Sequence, residues 1–169
     1  MGLVVWIAIF VELIVDTFCY VDDTFGWNIE GNLVLYEPYG VFFPRKQAQL
    51  LCLWDYLGIP HKRKKQAFRL ILTIIGFEID LNAMTATLPA KSKRSLISAI
   101  HNFIATPSRQ CSLHKFQVLT GWINWSFNVF PLLRPSLSNV YQKMSGKSQP
   151  HANIYLNKAM KDNLTWLAH

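Results

Sequence analysis

The sequence is short of cysteine. Its 169 residues include three cysteines, Cys19, Cys52 and Cys111, which lie far apart and form no Cys-x-x-Cys pair. An odd and scattered set argues against a disulfide scaffold and against a zinc ribbon. The five histidines also lack the spacing of metal ligands, so no zinc site is predicted. We therefore expect a reducing compartment, cytoplasmic or nuclear, and no secretion.

Long apolar runs are also lacking. The apolar segment at residues 2–11 is ten residues long and is followed by Glu12 and Asp16, whereas a membrane-spanning helix needs about 20 apolar residues. It has neither the preceding base nor the small-residue cleavage site of a signal peptide. We expect a buried helix or strand and no membrane contact, with Glu12 and Asp16 on a polar helix face. A small membrane-associated protein anchored by residues 2–11 is the alternative.

Basic residues are absent from the first 44 positions. That segment has six acids and a formal charge of −6, whereas the other 125 residues hold all 17 Lys and Arg and four acids, a charge of +13. The chain is 51% hydrophobic and only 16% charged, which excludes a disordered protein because ample apolar area is available to offset the ordering entropy. An acidic head on a basic body indicates partners of opposite charge for each part.

The order of patterns predicts an α+β fold, with mixed elements first and helices afterwards. The segments and their boundaries are as follows: a hairpin over 17–27, a loop over 38–44, a helix over 46–57, a solvated basic turn over 61–65, strands within 69–80 around Gly76 and over 84–88, a helix from Pro89 to Pro107, a helix from the cap Ser112 to about Phe130, a short helix over 135–144, a linker over 146–150 and a last helix over 154–167.

Two adjacent carboxylates, Asp22 and Asp23, lie at the bend of the first hairpin. Carboxylates held this close create a local negative field that a divalent cation relieves. Polymerases and nucleases use such pairs to hold two metal ions. Asp-Asp is also a favourable turn dipeptide, so these two residues alone leave a purely structural interpretation open.

The segment Tyr20-Val-Asp-Asp23 resembles the aromatic-x-Asp-Asp box in the palm of reverse transcriptases, and the downstream order is similar to that family. Residues 74–80 resemble its primer-grip hairpin, residues 88–91 the entry to its thumb, and residues 113–141 its helical thumb and connection. Within that family, the sequence most resembles the polymerases of fungal retrotransposons of the gypsy or DIRS-like kind. The resemblance implies a partial polymerase palm over 1–88, a helical thumb and connection over 89–145, and a linker with a C-terminal helix over 146–169.

The resemblance also implies site residues in the palm. Asp22 would be the catalytic metal-binding carboxylate and Asp23 its partner, holding Mg²⁺ or Mn²⁺. Tyr20 would lie beside the incoming nucleotide or the template, and Lys64 or Lys65 near the phosphates of the nucleotide. Spacing does not choose between these lysines, because four of the five residues from 61 to 65 are basic.

Further candidates lie downstream of the hairpin in the sequence. Gly76 and Phe77 would belong to the primer grip, where glycine allows close approach of the backbone. Lys91, Lys93 and Arg94 would contact the backbone of a template-primer duplex; as the first turns of a helix they are also consistent with a solvated face. Trp122 and Trp125 are expected in the core rather than as stacking platforms for bases.

The chain departs from the family at its front, where only 19 residues precede the box and no earlier strand supplies a further metal-binding aspartate. We therefore expect a reverse transcriptase fragment that holds Mg²⁺ weakly and is inactive alone. Its parent enzyme would use a template-primer RNA/DNA duplex and a deoxynucleoside triphosphate, and a missing upstream polymerase half would be a further partner. The alternative from another class is a non-enzymatic basic module that binds nucleic acid through residues 45–169.

Overall fold

The computed structural model describes residues 2–169 and has an α+β fold of small antiparallel sheets and several helices. The structure therefore confirms that the chain is α+β. The chain forms two compact units, one ending at Thr85 and the other beginning at Ala86. Nowhere in residues 2–169 is a helix both long and apolar enough to cross a bilayer.

The first unit contains two helices and three hairpins. Its elements, in chain order, are α1 (Gly2–Phe10), β1 (Thr17–Tyr20), β2 (Asp23–Gly26), β3 (Leu33–Tyr36), β4 (Val41–Pro44), α2 (Arg45–Tyr56), β5 (Ile71–Ile74) and β6 (Phe77–Asp80). The strand β7 (Thr85–Thr87) follows at the division between the units. Each of the pairs β1 with β2, β3 with β4, and β5 with β6 is antiparallel.

Several predicted elements of this unit are confirmed. In the first hairpin, Tyr20 pairs with Asp23, so that Val21 and Asp22 form the turn. Helix α2 starts one residue before the predicted position and is followed by Gly58 at a φ of 68°. The strands on either side of Gly76 are also present. The predicted loop over 38–44 is wrong, because a short 3-10 turn at Glu37–Tyr39 reverses the chain between β3 and β4.

Helix α1 is correctly predicted as an ordered apolar element, but its predicted burial is wrong. Ala8 is fully buried, whereas Leu3 is 72% exposed and Phe10 is 65% exposed. A helix that is apolar all round gives no sign of which face is covered. Here one face packs, with Ala8 joining Ile14 and Leu53 in a small cluster. The larger core cluster of the unit consists of Tyr36, Phe43, Ala48 and Leu51.

The second unit is mainly helical. Its elements are α3 (Ala90–Ile104), β8 (Gln110–Ser112), α4 (Leu113–Ser126), a 3-10 segment at Pro131–Leu137, α5 (Ser138–Met144), β9 (Asn153–Tyr155) and α6 (Lys158–Ala168). Ser112 caps α4 as predicted, since its Oγ accepts a hydrogen bond from the backbone N–H of Lys115 at 3.4 Å. Buried residues on the helices include Ile100, Phe116, Ile123, Met160 and Leu164.

Three predictions for this unit are wrong in detail. Helix α4 ends at Ser126, before the predicted Phe130. Residues 153–155 form β9, which pairs with β8, so the last helix begins at Lys158 and is capped by Asn157. Trp122 and Trp125 are not core residues, being 39% and 37% exposed. Ile123 fills the buried position between them.

Candidate functional site

The carboxylates of the Tyr20-Val-Asp-Asp23 segment project from a tight hairpin. Both Asp22 and Asp23 are exposed, and Tyr20, the cross-strand partner of Asp23, is 49% exposed. Within residues 2–169 neither carboxylate forms a side-chain hydrogen bond or an ion pair. Both are therefore available to an external cation.

These residues fit a divalent cation as part of its shell. Among residues 2–169 there is no group of three or more His, Cys, Asp or Glu side chains that could hold a metal ion. Mg²⁺ is often held by one or two carboxylates, with water and substrate phosphates supplying the remaining oxygen ligands. Asp22 and Asp23 can supply the carboxylate ligands of such a shell. Without phosphate ligands, Mg²⁺ should bind weakly.

The turn of this hairpin holds a residue in an unfavourable conformation. Val21 has a φ of 55°, which a β-branched residue rarely adopts. Two-residue hairpin turns require positive φ values because their twist must match that of the strands. On the strands, Phe18 and Phe25 are cross-strand partners whose rings stack with centroids 5.9 Å apart. The stacked pair supports the hairpin two residue pairs before the pair of Tyr20 with Asp23.

The base of the hairpin is fixed by Asp16, which precedes β1. Its Oδ2 lies 2.7 Å from Nζ of Lys46 in α2, and the same ammonium lies 4.4 Å from the ring centroid of Trp27. The prediction that Glu12 and Asp16 share a polar helix face is wrong, because α1 ends at Phe10. Asp16 instead adopts a φ of 64° and turns the chain into β1.

The remaining candidates of the first unit lie on other elements. Lys64 and Lys65 are exposed in a 3-10 turn at Arg63–Lys65 and form no ion pair within residues 2–169. Gly76 has a φ of 81° at the turn between β5 and β6, and Phe77 is 9% exposed. The structure thus brings Tyr20 together with Asp23, whereas Gly76 and Phe77 are neighbours in the sequence at the start of β6. No hydrogen bond or ion pair links Asp22 or Asp23 to Lys64 or Lys65.

Lys91, Lys93 and Arg94 lie in the second unit, exposed on the first turns of α3. Residues 86–169 contain ten Lys and Arg and one acid, Asp162, for a formal charge of +9. Among residues 2–169, the ion pair of Lys46 with Asp16 and the contact of His61 with Asp55 both lie in the first unit, and no such pair lies in the second. The cations of the second unit are therefore uncompensated by carboxylates.

A partly buried polar network was not predicted from the sequence. The hydroxyl of Tyr36 donates to Oδ2 of Asp55, whose Oδ1 lies 2.9 Å from Nε2 of His61. The hydroxyl of Tyr39 lies 2.6 Å from Nδ1 of the same ring. The side chain of His61 is 7% exposed, so the prediction of a solvated turn over 61–65 is wrong for this residue.

This network shifts two pKa values. Burial and the hydrogen bond to Asp55 raise the pKa of Tyr36 far above its ordinary value. The hydrogen bonds from Tyr36 and then from His61 lower the pKa of Asp55. The contacts join β3, α2 and the segment after α2, which makes them a structural element of the first unit rather than part of the hairpin site.

A cleft of about 560 Å³ is also present in the first unit, bordered by Glu12, Arg45 and Tyr56. It contains none of the candidate residues. The exposed hairpin, not a cavity, is therefore the candidate site.

In comparisons with known proteins, no family model, no curated protein and no solved structure matches this chain.

Proposed function

We propose that the chain is a palm-and-thumb portion of a retroelement reverse transcriptase, whose parent activity is RNA-directed DNA synthesis. The observation that carries the proposal is the hairpin in which Tyr20 pairs with Asp23 and both carboxylates are exposed and unpaired. A two-residue turn keeps Asp22 and Asp23 adjacent and accessible to a cation and to phosphates.

The chain's own residues would then have distinct tasks. Asp22 and Asp23 hold Mg²⁺ or Mn²⁺, which when bound activates the attacking hydroxyl and stabilises the leaving phosphate. Tyr20 supports the nucleotide or the template, and Lys64 or Lys65 attracts the phosphates. Gly76 and Phe77 orient the primer end. With two carboxylates in the cluster, we expect weak metal binding and no polymerisation by this chain alone.

The test uses Mn²⁺ as a paramagnetic probe on the isotopically labelled full chain. We expect NMR signals of residues 20–23 to broaden at lower Mn²⁺ concentration when template-primer and a deoxynucleoside triphosphate are present, because phosphates complete the shell. Asp22→Asn should abolish the broadening, whereas the matched control Glu30→Gln, at another exposed acid of the first unit, should preserve it. Uniform broadening over all exposed acids would contradict the proposal. Primer extension that Asp22→Asn abolishes would overturn the expected inactivity.

A non-enzymatic nucleic-acid-binding module is the second candidate. It is favoured by the charge of +9 on residues 86–169 and by the absence of ion pairs among the described residues of that unit. Lys and Arg that neutralise phosphates release counterions, so affinity falls steeply with salt. A module of this kind needs no carboxylate hairpin.

Duplex binding measured over a salt series separates the two candidates. Replacing Lys91, Lys93 and Arg94 by Gln should lower the slope of log affinity against log salt by up to about 3, roughly 0.9 per phosphate contact. In a pure binding module Asp22→Asn leaves affinity unchanged both with and without Mn²⁺. Mn²⁺-dependent binding that Asp22→Asn removes would instead favour the polymerase portion. Failure to bind any duplex at low salt would eliminate the module.

A further inference from the structure

Helix α2 begins with an unfavourable charge pattern. Arg45 and Lys46 occupy its first turn, no acid is present there, and no side chain caps the helix. Cations at a helix N-terminus oppose the macrodipole. A residue choice that local rules disfavour indicates a compensating contact elsewhere.

Lys46 has that contact at the hairpin. Its ammonium is 2.7 Å from Asp16 and 4.4 Å from the ring centroid of Trp27. Asp16 immediately precedes β1, and Trp27 immediately follows β2. One side chain of α2 therefore holds both ends of the hairpin. We refer to Asp16, Trp27 and Lys46 as the clasp.

Two further contacts restrict the backbone at the base of the hairpin, next to the clasp. A Cβ on Gly26 would lie 2.6 Å from the backbone oxygen of Asp16, so the two strand ends approach as closely as glycine permits. The hydroxyl of the buried Thr17 donates to the oxygen of Ile14 at 2.9 Å. These contacts leave the base of the hairpin little freedom to slide.

The neighbouring residue Arg45 secures the chain that leaves the hairpin. Its backbone N–H donates to the oxygen of Asn32 at 2.9 Å, and its Nε donates to Oδ1 of the same residue at 3.2 Å. The side chain of Asn28 also donates to the oxygen of Asn32. The start of α2 thus holds the segments on both sides of the hairpin.

We infer that Lys46 is a positioning residue that, through the clasp, sets the orientation of Asp22 and Asp23 for cation binding. The inference rests on the proposed function. A two-stranded hairpin is marginal by itself, and four residues of β1 separate Asp16 from the turn. Its carboxylates keep a defined placement on the first unit only if the base of the hairpin is held.

The test compares Lys46→Met with Lys46→Arg and with Arg69→Met in the full chain. Arg69 is an exposed cation of the same unit without an ion pair in the described chain. Two quantities are measured: hydrogen exchange of the β1 and β2 amides, and the Mn²⁺ concentration that broadens the signals of residues 20–23. Removing a positive charge should by itself strengthen cation binding. A weakening in Lys46→Met would therefore report loss of positioning and not loss of charge.

We expect Lys46→Met to speed hairpin exchange and to weaken Mn²⁺ binding about fivefold, the scale of losing one partly buried ion pair and one cation–π contact. Lys46→Arg should restore both quantities, and Arg69→Met should neither speed hairpin exchange nor weaken Mn²⁺ binding. Wild-type Mn²⁺ binding and exchange in Lys46→Met would overturn the inference. Absence of hairpin broadening in the wild-type chain would overturn the proposed function and the positioning role built on it, while faster exchange in Lys46→Met would still establish the clasp.

Discussion

Gly26 provides the sharpest test of the geometry at the base of the hairpin. Its φ lies outside the left-handed region, so alanine would be acceptable on backbone grounds. The obstacle is a Cβ 2.6 Å from the oxygen of Asp16, which must withdraw by about 0.8 Å to reach the 3.4 Å of ordinary van der Waals contact. That oxygen belongs to backbone and not to a flexible side chain.

The magnitude follows from two opposing terms. Overpacking of this kind costs about 1–3 kcal/mol. The lower entropy of the unfolded alanine chain returns about 0.4–1 kcal/mol. We therefore expect Gly26→Ala to destabilise the hairpin by about 1–2 kcal/mol, which corresponds to a roughly tenfold loss of exchange protection in β1 and β2.

Gly121→Ala is the matched control. This glycine is in the interior of α4, and nothing lies within 4 Å of its Cβ position. Alanine there should stabilise the helix by about 0.5–1 kcal/mol. Native-state hydrogen exchange measures the hairpin and α4 separately. We expect the change in exchange protection to have opposite signs at the two glycines. Unchanged or higher protection of the hairpin in Gly26→Ala would refute the close approach of Asp16 and Gly26.

Three further predictions concern strain and pH. Val21→Gly should raise exchange protection of the hairpin by about 1 kcal/mol, since glycine adopts a φ of 55° without penalty; lower protection would contradict strain at Val21. The lowered pKa of Asp55 means that its network stabilises the first unit above the ordinary value of 3.8 and that this contribution is lost as pH falls through the lower folded value; urea titrations followed by α2 signals should show the loss, and Asp55→Asn should remove the pH dependence. The raised pKa of Tyr36 means that stability should fall as pH rises above 10.0, where the unfolded chain ionises first; Tyr36→Phe should flatten this limb, whereas Tyr56→Phe, at a residue 88% exposed, should not.

Short sequence patterns correctly predicted the first hairpin and the start of α4, because these elements depend on residues that are close together in the chain. The aromatic and β-branched residues around Asp22 and Asp23 indicated the first hairpin, and Ser112 indicated the start of α4. The hairpin of β3 and β4 was missed because Pro38 and Gly40 are typical of a loop, whereas Pro38 lies in the connecting 3-10 turn and Gly40 ends it at a φ of 60°. Strands of three or four residues are too short to show a reliable alternation.

Contacts between distant residues were the part that sequence patterns could not supply. Asp16 and Lys46 are 30 residues apart, and neither belongs to a motif that indicates the other. His61 stands beside four exposed cations and looked solvated with them, although its ring is enclosed by Tyr36, Tyr39 and Trp54. Such contacts depend on tertiary packing, which no single-sequence pattern encodes.

The strand pairings also imply an order of folding. Each of the pairs β1 with β2, β3 with β4, and β5 with β6 joins neighbours in the chain, and hairpins of this kind close in about 1–10 μs. The strand β8 must instead find β9 across residues 113–152, which first requires the entropy of closing that long loop. During synthesis the hairpins can therefore form as they leave the ribosome, whereas the second unit cannot complete its sheet until residues 153–155 have emerged.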